Sequence, residues 1–424
     1  MRYPVLDPSF YESNRTRLQQ ILPKNSLSIV AANKHVLRAS EQFFPFKQNP
    51  NLFYLTGIEQ DEVILVLRID RNGDADWHLF IKNRNPEVER WDGRYLSIED
   101  ASKVSGMNQV FYMNDLQAFL ESCKQEAPEV FINVGQNDTT LDVSRELKLV
   151  SKGLINSSEE LKDLLPYLVP LRLVKSSQEI ALIKDAGEIT KQAFLEVLSR
   201  LKKYGYEYEI EAEITHYFLK KRTYGHAFRP IIASGRNALI LHYNQNAGSL
   251  NQGELLLMDF GADYLNYAAD FSRTIPVNGK YSHEQKFLYE MVYELYKQGL
   301  ELMVPGTTIN EINRLFAQKV QDAFLAYGII SKRDVDQQSD ESPAFKKYFM
   351  HGLTHFLGLD VHDVGTRDTI IQPGMVLTCE PGFYSEELGI GIRIENDILV
   401  ADKPIELVPD FPVDPTLIEQ IINQ

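Results

Sequence analysis

The chain has 424 residues, of which 44% are hydrophobic and 24% charged, as expected for a folded globular protein with more than one domain. Its 44 basic residues against 59 acidic ones give a net charge of -15, and we find no basic stripe, which excludes nucleic acid as a partner. Only two cysteines occur, so a disulfide framework and a Cys-rich zinc site are excluded. With no signal peptide and no apolar run of membrane-spanning length, we expect a cytoplasmic protein.

The first part of the chain alternates strand-like and helix-like stretches. The predicted strands are SIVAA (28–32), EVILVLRI (62–69), DWHLFIK (76–82) and VFINVG (130–135). A helical pattern, NDLQAFLESCKQ (114–125), lies between the last two strands. Because strands that alternate with helices are typical of α/β folds, we predict an α/β N-terminal domain.

A domain boundary is predicted near residue 170, where the proline-containing segment LLPYLVPLR (164–172) has the composition of a linker. Just after it, Ser176 and Glu179 fit a capping box, followed by apolar residues at helical spacing. We therefore predict domains at 1–170 and 171–424. Further predicted helices and strands alternate in the second domain: helices at 208–221, 283–303 and 309–327, and strands near 227–234, 254–259, 375–380 and 391–400.

Carboxylates follow the apolar strands of the second domain. Asp259 ends one such strand, and Asp270 lies eleven residues later. A hairpin through GADYLN would bring the two flanking strands side by side. Because burying an unpaired carboxylate is costly, two such groups need a cation or must take up protons.

The remaining candidates lie nearer the C-terminus. Glu380 ends the run MVLTCE, Glu395 lies within GIGIRIEND, and HGLTHFLGLDVHDVG (351–365) contains three histidines. Four carboxylates and one imidazole exceed the needs of one tetrahedral zinc and suit two divalent ions bridged by shared carboxylates. The oxygen-rich set favours Mn²⁺, with Co²⁺, Fe²⁺ and Zn²⁺ as alternatives.

Taken singly, each of these residues also has a plain structural explanation. The alternatives are a strand-end turn at Asp259, an ion pair between Asp270 and Arg273, a turn cap at Glu380, and neutralisation of Arg393 by Glu395. Histidines four residues apart, as at 351 and 355, occur in a helical zinc motif, but Gly352 stands where that motif requires glutamate. Only the joint occurrence of the candidates on apolar strand ends favours a metal site.

Five segments closely resemble the family of proline-specific aminopeptidase P and prolidase. They are HYNQNAG, DFGADYLNYAADFSRTIPVNGKY, HGLTHFLGLDVHDVG, LTCEPGFY and GIGIRIEND. The family has the pita-bread metallopeptidase fold, shared with methionine aminopeptidase and creatinase. NPNLFYLTGIEQDEVILVL (49–67) resembles its creatinase-like N-terminal domain. The resemblance therefore implies an α/β creatinase-like domain followed by an α+β pita-bread catalytic domain.

The resemblance also implies a role for individual residues. The expected metal ligands, with Asp270 and Glu395 bridging both ions, are Asp259, Asp270, His355, Glu380 and Glu395. Glu380 is the expected proton shuttle, from the attacking water to the leaving proline nitrogen. His242 and His362 are expected to bind substrate and to donate hydrogen bonds as negative charge develops.

The remaining expected site residues support this centre. Arg393 is expected to orient the bridging glutamate or the substrate during catalysis, while His351 and Tyr384 are expected at the substrate-binding edge. The resemblance further suggests a homodimer or tetramer. Two interpretations of Trp91 and Arg94 stay open: a loop that reaches a neighbouring subunit's site, or an exposed Trp-Asp-Gly turn that packs locally.

The expected reaction is release of the N-terminal residue from peptides with proline in second position. Creatinase uses no metal and has substitutions at the ligand positions, and methionine aminopeptidase usually lacks the large N-terminal domain. Prolidase, an Xaa-Pro dipeptidase, shares every ligand and is the main alternative. The segments SRTIPVNGKY and IKNRNPEVERWDGRYL are more similar to bacterial aminopeptidase P. A binder of proline-rich peptides that does not cleave them is the third alternative.

Overall fold

The computed structural model describes residues 5–124, 129–133, 161–339 and 341–424. Contacts between residues divide the chain into two compact units, Tyr3–Leu171 and Arg172–Gln424. This division falls beside the boundary predicted near residue 170. No helix in the described ranges has the length and apolar character needed to cross a bilayer.

The predicted linker before the boundary was wrong, because its residues form the helix Leu165–Leu173. Pro166 lies in the first turn, where a missing N–H costs nothing. Pro170 lies in the interior and removes one helical hydrogen bond. Leu168 is fully buried, and the burial of such apolar side chains offsets that loss.

A six-stranded mixed sheet forms the centre of the first unit, in the order β6-β5-β4-β1-β7-β8. Its strands are β1 (Ser26–Ala31), β4 (Ile64–Ile69), β5 (Ala75–Ile81), β6 (Val110–Tyr112), β7 (Glu129–Ile132) and β8 (Leu161–Asp163), and a small hairpin is formed by β2 (Leu37–Ala39) and β3 (Gln42–Phe43). The α/β prediction is thus confirmed, although residues 134–135 of one predicted strand and residue 125 of the predicted helix lie outside the described ranges.

Helices pack around this sheet. They are Pro8–Ile21, Pro50–Thr56, Pro86–Asp92, Ile98–Ser105 and Leu116–Lys124. Ile29, Val66 and Phe80 from three strands form one buried cluster with Leu120 of the last helix. Trp91 lies on the third helix with 89% of its surface exposed, so the local-packing interpretation of this residue was wrong.

The second unit begins with the long helix that the capping box predicted. It spans Ser177–Arg200; the Ser176 hydroxyl accepts the Glu179 N–H, and the Glu179 carboxylate accepts the Ser176 N–H. The other helices of this unit are Glu207–Lys220, His283–Leu300, Ile309–Ala326, Lys332–Asp336 and Pro415–Ile422.

Short antiparallel sheets carry the candidate residues in this unit. The strands are β9 (Gly225–His226), β10 (Ile231–Ser234), β11 (Leu255–Phe260), β12 (Ala262–Tyr264), β13 (Tyr267–Ala268), β14 (Phe271–Pro276), β15 (Val376–Cys379), β16 (Gly382–Ser385), β17 (Ile390–Arg393), β18 (Asn396–Leu399) and β19 (Ile405–Glu406). They pair as β10-β11-β14, β13-β12-β9, β15-β18-β19 and β16-β17.

The prediction of one strand over 391–400 was wrong. β17 pairs with β16 while β18 pairs with β15, so the chain changes sheets between them. At the change, the Ile394 N–H donates to the Pro381 carbonyl, and the Glu395 N–H donates to the Ser272 carbonyl at 3.0 Å. Glu395 therefore lies in a two-residue break, where its side chain is not constrained by strand alternation.

A buried ion cluster lies directly after the predicted boundary. Arg172 and Lys175 each donate to a different oxygen of Asp363, at 2.5 and 2.9 Å, and all three side chains are buried. Burial alone would raise the pKa of the Asp363 carboxyl, but Lys175 and Arg172 outweigh it and hold this pKa below its ordinary value. The cluster anchors the residue next to His362.

Replacing Lys175 with methionine is expected to cost about 3 kcal/mol of unfolding free energy, because it leaves Asp363 buried with half of its compensation. Denaturant unfolding measures this loss. Since the pKa of Asp363 is lowered by folding, its contribution is complete above the unfolded value of about 4 and is lost as the pH falls through the folded value. The difference from wild type should hold from pH 5 to 8 and shrink below about pH 4.

The matched control is Lys297→Met, which removes an exposed ion pair with Glu294. Exposed pairs contribute about 0–1 kcal/mol, so this variant should unfold almost as wild type does. Equal stability losses in the two variants would show that the Asp363 cluster contributes nothing beyond a surface pair.

Candidate metal centre

All five predicted ligands line one cavity of about 720 Å³ in the second unit. The cavity also exposes four further residues singled out from the sequence, namely His242, His351, His362 and Arg393. Tyr384 is not among the lining residues; it is buried beside two of them. The structure thus brings together residues spread from position 242 to position 395.

The two aspartates are placed by the predicted hairpin. β11 and β14 pair antiparallel, with Asp259 opposite Ser272, and Asp270 directly precedes β14. Glu395 is bound to Ser272 of β14 by two hydrogen bonds. The Glu395 N–H donates to the Ser272 carbonyl, and the Ser272 hydroxyl donates to the Glu395 carboxylate at 2.7 Å. Contacts to β14 therefore position all three carboxylates, those of Asp259, Asp270 and Glu395.

His355 and Glu380 are placed by a second backbone arrangement. The irregular segment that carries His355 runs along β15, where the Thr378 N–H donates to the His355 carbonyl at 3.0 Å. The Glu380 N–H donates to the Leu353 carbonyl at 2.9 Å. As expected from Gly352, neither His351 nor His355 is helical.

The side-chain atoms of these residues point at one another. One ligand atom from each of Asp270, His355 and Glu395 lies within 4.8 Å of the other two. The His355 Nε2 atom is 3.5 Å from an Asp270 oxygen and 3.8 Å from a Glu380 oxygen. The other ring nitrogen, Nδ1, lies 3.0 Å from the Phe356 carbonyl, which can only accept, so Nδ1 carries the proton. The Nε2 lone pair is therefore free to bind a metal.

Burial and mutual repulsion raise the pKa of three of these carboxyls. Burial, followed by the charges of Glu395 and Asp259, raises the pKa of Asp270 well above its ordinary value. Burial and then Glu395 do the same for the pKa of Glu380. Burial and then Asp259 raise the pKa of Glu395 to about 7. Such a group of carboxylates is stable near neutrality only with protons or cations among them.

Arg393 is the protein's own cation in this group. Its guanidinium donates to an Asp259 oxygen at 2.6 Å, and to the hydroxyls of Ser272 and Tyr384 at 2.9 Å each. Burial alone would lower the pKa of Arg393, but Tyr384, Asp259 and Glu395 outweigh it and raise it. The alternative in which Glu395 neutralises Arg393 was therefore incomplete, because Asp259 is the carboxylate that contacts the Arg393 guanidinium directly.

The pairing of Asp270 with Arg273, considered from the sequence, was wrong. The buried Arg273 guanidinium donates instead to backbone carbonyls, among them those of Glu395 at 2.7 Å and Pro412 at 2.6 Å. Asp270 is left with its backbone N–H bound to the Asp397 carboxylate and its own carboxylate facing the cavity.

The donor set fits divalent metal ions. The second oxygen of Asp259, Oδ1, is buried and has no hydrogen-bond partner among the residues that the structure describes. An orphaned buried oxygen next to further carboxylates and an imidazole nitrogen matches the ligands that divalent cations bind. Arg393, the arginine that contacts this group, cannot by itself balance four carboxylates.

The two other histidines of the motif are neutral near pH 7. Burial and then Arg393 lower the pKa of His351 to about 3. Removal from water, then His355 and His242, lower the pKa of His362 to about 4. His351 lies between Tyr384, whose hydroxyl is 2.9 Å from its Nε2, and Glu380, 3.6 Å from its Nδ1. Tyr384 therefore supports His351 and Arg393 from behind.

Ser272 and Asp397 also belong to this centre, and the sequence interpretation missed both. Each lies two residues after a candidate ligand, Asp270 and Glu395 respectively. Asp270 and Glu395 both lie just outside their strands, so strand alternation did not mark either partner. Two further cations, Arg229 and Arg367, line the same cavity, and no pattern in the sequence marks either one.

The fold and the site define a metallopeptidase. Residues 181–402 match the Metallopeptidase family M24, and residues 11–131 match the Aminopeptidase P N-terminal domain. The chain belongs to the M24 metallopeptidases, so it is a hydrolase whose family implies divalent metal ions. The predicted fold, a creatinase-like domain followed by a pita-bread catalytic domain, is confirmed.

Relatives narrow this class further. The chain is 35% identical to Xaa-Pro aminopeptidase of Haemophilus influenzae and 33% identical to that of Escherichia coli K12, each over 92% of both chains. It is also similar to solved structures. Aminopeptidase P from E. coli with the inhibitor Pro-Leu has a TM-score of 0.88 at 31% identity over 99% of both chains. Proline aminopeptidase P II from Yersinia pestis gives the same TM-score and identity over 99% of this chain and 100% of that chain.

Proposed function

We propose that this protein is an Xaa-Pro aminopeptidase, releasing the N-terminal residue from peptides with proline in second position. The observation that carries the proposal is the convergence of Asp259, Asp270, His355, Glu380 and Glu395 in one cavity of an M24 metallopeptidase. The similarity to Xaa-Pro aminopeptidases over most of the chain favours this substrate class over the dipeptides of prolidase.

We propose two divalent ions at this centre, with Mn²⁺ as the first candidate and Co²⁺, Fe²⁺ and Zn²⁺ as alternatives. Asp270 and Glu395 would contact both ions, Asp259 would complete one, and His355 with Glu380 would complete the other. Bound ions would lower the pKa of a water and polarise the scissile carbonyl. Supporting this assignment are the raised pKa values of three of the carboxyls and the unpaired oxygen of Asp259.

Glu380 is our candidate for moving the proton. Its carboxylate faces the cavity, 3.8 Å from the Nε2 atom of His355 and 3.6 Å from the Nδ1 atom of His351. From there it would accept a proton from the attacking water and deliver it to the leaving proline nitrogen. An amide nitrogen leaves readily only once it is protonated, and the proton taken from the water would supply this need.

The histidines would bind substrate as hydrogen-bond donors. His242 and His362 line the cavity, and the His362 ring packs 4.4 Å from that of His355. A neutral imidazole offers one N–H, which would stabilise negative charge developing on the carbonyl oxygen. His351 would contact the substrate from the side of Glu380, and Arg393 with Tyr384 would hold Asp259 in place.

Peptide length distinguishes the candidate functions. We expect the purified protein with Mn²⁺ to cleave Ala-Pro-Ala rapidly and Ala-Pro slowly. Chromatography of the released alanine measures both rates. Ala-Ala-Ala is the control for proline recognition and should be cleaved poorly. The reverse ranking of the two proline peptides would assign the protein to the prolidases, and metal binding without any cleavage would leave only a peptide binder.

Location and assembly remain proposals. We propose a cytoplasmic protein that forms a homodimer or tetramer, as the family resemblance suggests. Trp91 and Arg94, both exposed, would then be available to a neighbouring subunit. Light scattering of the purified protein tests this, because a monomeric mass at micromolar concentration would contradict the proposed assembly.

A further inference from the structure

A buried carboxylate outside the metal centre organises the segment that carries His242. Glu207 is the first residue of the helix Glu207–Lys220 and is fully buried. No lysine, arginine or histidine is paired with it among the ion pairs of the described residues. A buried charge without a countercharge persists only where hydrogen bonds satisfy it.

Four donors converge on this carboxylate, all from the chain between Ser234 and Gly248. One oxygen accepts the Ser234 N–H at 2.7 Å and the Asn237 side-chain amide at 2.8 Å. The other accepts the Tyr243 hydroxyl at 2.8 Å and the Gly248 N–H at 2.6 Å. Every partner donates, so the two carboxylate oxygens accept all four hydrogen bonds.

These bonds close the segment at both ends and in its middle. At one end of the segment, Ser234 is the last residue of β10. At the other end, the Gly248 carbonyl accepts the Glu207 N–H at 3.0 Å, at the start of the helix Glu207–Lys220. Tyr243 lies between them in a buried apolar cluster with Ile231 and Leu257. One carboxylate therefore holds this fifteen-residue segment at four positions, Ser234, Asn237, Tyr243 and Gly248.

His242 lies within that segment, next to Tyr243. Its side chain is exposed and lines the cavity with the candidate metal ligands. An exposed histidine on a loop has no packing of its own to fix it, so its position depends on how the backbone beneath it is held.

We propose that Glu207 is a positioning residue that holds the segment from Ser234 to Gly248 so that His242 faces the substrate. The catalytic part of this inference rests on the proposed function, because it requires His242 to contact the peptide. The structural part, the dependence of the segment on Glu207, stands without it.

The test is a double-mutant cycle between Glu207→Gln and His242→Ala. The glutamine amide group is a donor and would face two of the donors that now bind Glu207, so the segment should lose its fixed position. We therefore expect kcat/KM for Ala-Pro-Ala to fall about 10–100-fold, as for other groups that orient an active residue. The metal content should not change. With His242 already replaced, Glu207→Gln should have almost no further effect. Losses that multiply in the double variant, or loss of metal from Glu207→Gln, would overturn the proposal.

Two further variants separate positioning from a general loss of stability. Glu209→Gln removes the carboxylate that accepts the Gly205 and Tyr206 N–H groups at the start of the same helix, outside the segment. It should leave kcat/KM unchanged. If Glu207→Gln does not fold, Tyr243→Phe keeps the buried ring and removes the hydroxyl that donates to Glu207 and accepts from Asn237 and Ala247 within the same segment. It should lower kcat/KM several-fold, and unchanged turnover in a folded Tyr243→Phe would count against the proposal.

Hydrogen exchange provides a readout that needs no activity. In Glu207→Gln the amides of Ser234 and Gly248 should exchange at least tenfold faster than in wild type, while those of β15 keep their rates. Unaltered exchange at both amides would refute the positioning role. If wild type cleaves no Xaa-Pro peptide, the proposed function fails, and the exchange comparison still decides what Glu207 does.

Discussion

Asp270→Ala is expected to abolish peptide cleavage, lowering kcat/KM by about 10³-fold or more, beyond the ~10–100-fold typical of groups that only support a ligand. Asp270 lies with His355 and Glu395 in the group whose ligand atoms are within 4.8 Å of one another. As a proposed bridge it would contact both ions, so its loss should remove both. Steady-state kinetics and metal analysis of the purified variant measure these two effects.

The same variant should not be unstable without metal. Burial and the charge of Glu395 raise the pKa of Asp270, so its ionised form opposes folding of the metal-free protein. The chelated variant should therefore unfold at the same temperature as chelated wild type, or higher. Asp402→Ala, at an exposed position outside the cavity, is the control and should keep full activity. A folded Asp270→Ala with near-normal turnover would remove the basis for the two-ion assignment.

His351→Ala should affect the reaction differently. His351 lies between Glu380 and Tyr384 and is not a proposed ligand, so the variant should keep its metal while losing less activity than Asp270→Ala. Metal analysis beside the kinetics separates the two classes of residue. Loss of metal from His351→Ala would move this residue into the ligand set.

Chelation of the divalent ions is expected to remove activity completely, and added Mn²⁺ should restore it. The rebinding should also release protons, because ligands must be deprotonated to bind a metal. Burial and Asp259 raise the pKa of Glu395 to about 7, so this group holds a proton at pH 6 in the chelated protein. We expect a release of about one proton or more at pH 6 and less at pH 8.

Titration calorimetry in two buffers of different ionisation enthalpy measures this release. Equal proton release at pH 6 and at pH 8 would show that Glu395 is already ionised at pH 6 in the metal-free site.

Local patterns in the sequence were sufficient for several elements. The Ser176–Glu179 capping box predicted the start of the long helix, because both partners lie within one turn. The hairpin after Asp259 followed from two apolar strands flanking the turn-forming segment GADYLN, and the structure has those strands paired. The burial of the two aspartates followed from the same strands.

Features that depend on distant partners were not predictable in this way. The break at Glu395 arises because β17 and β18 pair with different strands, a property of the folded sheets that the continuous apolar run conceals. Glu207 was overlooked because its four partners lie 27 to 41 residues away and nothing local marks it. The choice of His355 among three neighbouring histidines came from the resemblance, whereas the structure adds the hydrogen bond that frees its Nε2 atom.

Anomalous diffraction from crystals of the Mn²⁺-loaded protein, collected on both sides of the manganese absorption edge, would locate the proposed ions. We expect two anomalous peaks about 3.5–4 Å apart between the side chains of Asp259, Asp270, His355, Glu380 and Glu395. A single peak, or peaks that these five side chains do not contact, would contradict the two-ion assignment.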